Sequence, residues 1–131
     1  MTTVKAYSKA KDGNKKLSTN FRVKEFACSD GSDPIFIADE LIVVLQKIRS
    51  HFGRPVKITS AYRTPGRNKS VGGTAYSQHL YGSAADIKVS GVSPRKVAEY
   101  AEKLMPNSGG IGTYSTFTHV DVRKTKSRWR E

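Results

Sequence analysis

Two stretches of this chain carry apolar residues at helical spacing, and the short alternating runs around them do not follow the regular βαβ order of a parallel sheet. That order predicts an α+β domain with a small, mainly antiparallel sheet and helices covering one side. The first helix is read from Asp33-Pro34, a cap with proline at the first helical position, through Ile37, Leu41, Val44, Leu45 and Ile48 to a stop at Gly53. Ser93-Pro94 repeats the signature, and Val97, Ala98, Ala101 and Leu104 make a second helix ending near Pro106. Strands are expected at Val56 to Ser60, Ala84 to Val89 and Phe117 to Arg123. Tyr62 to Gly66 reads as a turn, with a long polar loop following to about Tyr76.

A length of 131 residues suits a single domain over 1–131, with residues 1–16 a basic arm or peripheral strand and residues 124–131 a basic tail. Cys28 is the only cysteine, which excludes an internal disulfide and a cysteine-rich zinc site. Any metal must be held by histidines and carboxylates. The 23 Lys and Arg against 11 acidic residues give a net charge of +12, which attracts polyanions. Nucleic acid, anionic lipid and the phosphate- or carboxylate-rich polymers of a bacterial envelope all satisfy it. No apolar run of signal-peptide or membrane-span length is evident, so synthesis in the cytoplasm is expected.

His79 stands in a loop seven residues before Asp86, and His119 lies on a later strand. Alternation puts Ala85, Ile87 and Val89 on one strand face and Asp86 on the other, and it groups Phe117, His119, Asp121 and Arg123 opposite Val120 and Val122. Two imidazoles and a carboxylate are an accepted ligand set for a catalytic zinc, with a fourth position left for water. Gly82 would let the backbone turn sharply between the first two. On spacing alone, a metal site and ordinary surface or core residues both stay open. His51, ending the first helix, is accounted for by the helix dipole, with no metal expected there. Tyr81, Tyr114 and Phe117 are candidates for the lining of a cleft, or for core packing.

The string Ser77-Gln78-His79-Leu80-Tyr81-Gly82-Ser83-Ala84-Ala85-Asp86 has the form S-x-H-x-x-G-x-A-x-D. It resembles the first signature of peptidase family M15, the DD-peptidase and L-alanyl-D-glutamate peptidase group of zinc enzymes. Ile58-Thr59-Ser60-Ala61-Tyr62-Arg63, Gly110-Ile111-Gly112 and Phe117 to Arg123 extend the likeness over Phe21 to Trp129. The resemblance implies a DD-peptidase/hedgehog-like fold with Zn2+ held by His79, Asp86 and His119. It also implies that Arg63 steadies negative charge on the substrate and that Ser77 fixes the loop or touches substrate; of the aromatic residues, Tyr81 is the one expected to touch substrate. In several branches the proton-handling acid stands three residues before the last histidine, where this chain has Thr116. Asp121 is the nearest carboxylate, either as that base or as a partner holding a ligand or Arg123.

The implied activity is hydrolysis of peptide bonds in bacterial peptidoglycan stem peptides, by a D-Ala-D-Ala carboxypeptidase or an endolysin-type endopeptidase. A monomer is expected, drawn to anionic wall polymers and reaching the wall by phage-type release. The rivals are a noncatalytic wall-binding or phage structural module retaining the fold, and, less favoured, a nucleic-acid-binding protein using the basic Arg123 to Arg130 stretch with its tryptophan.

Overall fold

The computed structural model describes residues 3–74 and 77–131. Tyr76, where the polar loop is expected to end, lies outside them, as do Met1 and Thr2 of the expected arm. From the N-terminal side, β1 (Val4–Ser8) runs into the single-turn helix α1 (Lys9–Asp12), and the short hairpin β2 (Lys16–Ser18) and β3 (Phe21–Arg22) follows. A 3-10 turn at Val23–Phe26 buries Val23 and Phe26 before β4 (Pro34–Ala38) returns antiparallel along β1.

Here the structure corrects the expected first helix. Pro34 to Ala38 is a strand, and helix α2 (Asp39–Phe52) starts only after it. The reason is nonlocal: β1 offers a pairing edge, and Ile35 and Ile37 bury on alternate positions while Pro34 and Phe36 stay exposed. Proline is tolerated there because it opens an edge strand. Asp33 caps no helix after it; its carboxylate braces the start of α1, whose N-cap is Ser8, accepting from Ala10 N at 2.8 Å and Ser8 Oγ at 2.9 Å.

After the stop at Gly53, β5 (Val56–Ser60) forms as expected. The turn and polar loop expected next hold a helix, α3 (Pro65–Ser70), whose N-cap Thr64 accepts from Arg67 N. Thr64-Pro65 is the same cap-then-proline signal, here in a segment with no apolar stripe to announce a helix. A 3-10 turn at Gln78–Tyr81 leads into β6 (Ala84–Val89), and Ser93 caps α4 (Pro94–Leu104) as its sequence predicts. The chain then makes β7 (Gly110–Thr113), β8 (Thr118–Asp121) and β9 (Ser127–Arg130).

The last five strands form one sheet in the order β5-β6-β8-β7-β9, antiparallel except for the parallel pair β7 and β9. Helices α2 and α4 pack on one face, where Leu41, Leu45, Ile48, Val97 and Ala101 meet Ala85, Ile87 and Val120 in a continuous core. Each fully buried Leu or Ile there contributes roughly 1.5–3 kcal/mol. The expected α+β architecture is therefore present. Among the described residues no helix is long and apolar enough to cross a membrane.

The stretch 124–131, expected as a tail, includes β9. Arg128 is held to α4 by Glu102, with Nε donating to Oε1 at 2.6 Å, and it also donates to the Met105 and Gly109 carbonyls. A solvated basic run cannot supply those partners; a strand with one residue in two facing α4 does.

Candidate metal centre

Strand register builds the site. Directly opposed residues on antiparallel strands share a face, and Ser60, Asp86, His119 and Gly112 oppose one another in turn across β5, β6, β8 and β7. Gly112 is also paired with Trp129 on β9. This row lies on the sheet face away from the helices. A Cβ at Gly112 would collide with the Trp129 indole, so the missing side chain lets the ring lie across the sheet beside His119, with ring centroids 5.0 Å apart.

His79 enters from the 3-10 turn. Ser77 caps that turn, its Oγ accepting from His79 N, and Gly82 ends it with φ of +71° against the Phe36 carbonyl, a place where no Cβ fits. The His79 ring donates Nδ1–H to the Ala61 carbonyl at 2.6 Å, which leaves Nε2 facing Asp86 Oδ1 at 3.4 Å. From the other side His119 Nδ1 stands 2.9 Å from the same oxygen. The three side chains are buried, and one donor atom from each lies within 4.8 Å of the others, an arrangement that could hold a metal ion.

Behind His119 sits Asp121, with no exposed surface. Its Oδ2 accepts from His119 Nε2 at 2.7 Å and Arg123 Nη2 at 2.6 Å, and its Oδ1 accepts from Gly110 N at 2.9 Å and Arg123 Nε at 2.8 Å. Of the two roles expected of Asp121, this geometry fits the holding of His119 and Arg123. A fully buried carboxylate whose oxygens are all engaged offers none to a water in the cleft, which argues against its use as the base.

Carboxylates only accept, so His119, placed between Asp86 and Asp121, carries protons on both nitrogens when no metal is present. Burial opposes that charge, but the hydrogen bonds from Asp121 and Asp86 outweigh it and raise the imidazole above its ordinary 6.5. Burial likewise opposes the Asp86 charge, and the hydrogen bonds and charges of His119 and His79 still hold its carboxyl well below the usual range. A pH test follows. A raised histidine contributes stability fully present below 6.5 and lost as pH rises through the higher folded value. A metal ion held by His119 would need that ring deprotonated on one nitrogen, so its stabilisation would grow over the same rise. Calorimetry at increasing pH is expected to show melting of the metal-free protein falling above 6.5 while the increment from added metal increases.

The cleft over the row has a volume of about 510 Å³. Arg63 lines it, its Nη2 3.6 Å from Asp86 Oδ2, steadied by Ser60 Oγ at 3.2 Å and by the buried Asn68 at 3.4 Å. Ser77 lines it too. Tyr114 and Phe117 stack with centroids 4.2 Å apart and form one wall. Tyr81, half exposed, is not among the residues that line the cleft. His51 is remote from the centre and stacks on Tyr100. The sequence reading missed Asn68, Trp129, Ser127 and Glu131. The last three line the cleft at alternate positions, and that period of two was the available signal, masked by the basic residues between them.

No curated protein matches the chain. The profile of a protein family described as Peptidase M15 matches residues 16–121, a span that includes all three metal-site side chains. With most of its length matched, the chain belongs to the peptidase M15 family.

Proposed function

We propose that the protein is a zinc-dependent peptidase that hydrolyses peptide bonds in the stem peptides of bacterial peptidoglycan, as a carboxypeptidase removing a terminal D-alanine or as an endolysin-type endopeptidase. The observation that carries the reading is the buried His79, Asp86 and His119 cluster at the floor of a cleft that Arg63 also lines. The donor set fits zinc, since each imidazole has one nitrogen tied off by Ala61 or Asp121 and the other turned inward. Ligands about 2.0–2.2 Å from a tetrahedral zinc lie roughly 3.3 Å apart. The separation of His79 Nε2 and Asp86 Oδ1 is 3.4 Å.

Zinc held there supplies a Lewis acid for the scissile carbonyl and makes water more acidic. Arg63 offers its guanidinium to the negative charge that develops on the carbonyl oxygen. Asp121 fixes the His119 ring, and the Tyr114, Phe117 and Trp129 rings shield one side of the cleft from water. The net charge of +12 favours approach to anionic wall polymers.

Digestion of purified peptidoglycan tests the reading. Release of new amine termini is expected with zinc and not with chelator, and mass spectrometry of the fragments identifies the bond. Intact wall after treatment with zinc-loaded protein would leave the noncatalytic module as the better account.

A further inference from the structure

We infer that Glu131 is the catalytic residue that handles the proton in this cleft, in the role that sequence position assigns to residue 116 in some relatives. The inference rests on the peptide-hydrolysis reading and deepens it. Three observations lead to it. First, Thr116 cannot serve by position: it lines a small cavity with Ile87, Pro94 and Val97, on the side of the sheet that α4 covers. Second, Asp121 is sealed behind His119, and Asp86 belongs to the metal cluster. Among the described residues, the carboxylates lining the cleft are those of Asp86 and Glu131.

Third, Glu131 is aimed by the strand that carries it. Its backbone N–H donates to the Thr113 carbonyl at 2.9 Å, extending the β7 and β9 pairing by one residue. Alternation then sends Ser127, Trp129 and Glu131 to the cleft and Arg128 and Arg130 toward α4. Trp129 is level with His119 two strands away, so Glu131 stands on the edge strand about 7 Å further along than that row and roughly 10 Å to its side, with the cleft between them. The Tyr114 hydroxyl accepts from Trp129 Nε1 at 2.9 Å, and Tyr114, Trp129 and Glu131 line the same cleft. Unlike Asp121, Glu131 is exposed, so a water in the cleft can reach it.

The step balances. A water gives one proton to Glu131 while its oxygen forms a bond to the scissile carbonyl carbon. The carbon–nitrogen bond breaks, the same proton passes from Glu131 to the departing nitrogen, and the carboxylate is regenerated. One water is consumed, and a carboxylic acid and an amine leave.

The test is Glu131→Gln in the full chain, with zinc content by elemental analysis, binding of an uncleaved stem peptide by calorimetry, and kcat and KM on a cleavable one. General acid–base catalysis contributes about 10²–10⁴-fold. A kcat fall of at least about 100-fold, with zinc stoichiometry, peptide Kd and KM unchanged, is the expected result. A kcat close to wild type overturns the inference, and so does a rise confined to Kd and KM, which would make Glu131 a binding group. Loss of zinc also overturns it, by making the carboxylate a ligand. Because the side chain is exposed, the variant is expected to melt like wild type. If wild-type protein with zinc cleaves no stem peptide, the function reading fails; if wild type cleaves and Glu131→Gln does so equally, only this inference fails.

Discussion

His79→Ala is expected to lose stoichiometric metal and to drop peptide cleavage by on the order of 10³-fold or more, well beyond the roughly 10–100-fold that loss of a supporting partner costs. His79 is the right ligand to remove because its ring leans on a single protein group besides the cluster, the Ala61 carbonyl. The Asp86, His119 and Asp121 chain of hydrogen bonds survives the change. Leaving the Ala61 acceptor unmet costs about 1–3 kcal/mol of stability, so the metal-free variant still folds. Metal content by elemental analysis and cleavage of a stem peptide are the two readouts. Full metal occupancy in this variant would place the centre elsewhere.

Asp121→Ala carries the second large effect, and here stability leads. The substitution strands the His119 Nε2–H, the Gly110 N–H and the Arg123 guanidinium around a buried site. Breaking a buried charge pair from one side costs roughly 3–5 kcal/mol, a large share of the stability of a domain this small. Asp121→Asn keeps the shape and one acceptor oxygen and is expected to fold, with metal affinity reduced about 10–100-fold because His119 is held less firmly. At saturating zinc most of its activity should return. If metal is fully bound and kcat is still down by about 100-fold, Asp121 moves the proton itself, and the assignment to Glu131 falls with that result.

Much of the centre is readable in the linear chain. His79 and Asp86 stand in a motif whose spacing reflects local geometry: a capped turn, Gly82 to end it, and a strand whose alternate residues face opposite ways, while His119 sits in a second short string on a later strand. Local signals also place α4 and β5 correctly, since Ser93 caps the helix that follows it and Val56 to Ser60 alternates in burial. The same kind of signal misleads at Asp33-Pro34. A cap and a proline describe what the local backbone permits, whereas pairing with β1, some thirty residues earlier, selects strand for Pro34–Ala38.

The sequence by itself carried the α+β class, the family and the three side chains of the candidate metal site, because the class is written in the apolar period of single elements and the rest in short strings around His79, Asp86 and His119. Only the tertiary structure decided what surrounds the metal row. It put Asp121 behind His119 rather than in the cleft, turned Thr116 toward α4, and brought Trp129 and Glu131 from an apparent tail onto the edge of the sheet. Those outcomes depend on strand register between segments distant in the chain, and register is set by which faces can be buried together once the sheet assembles.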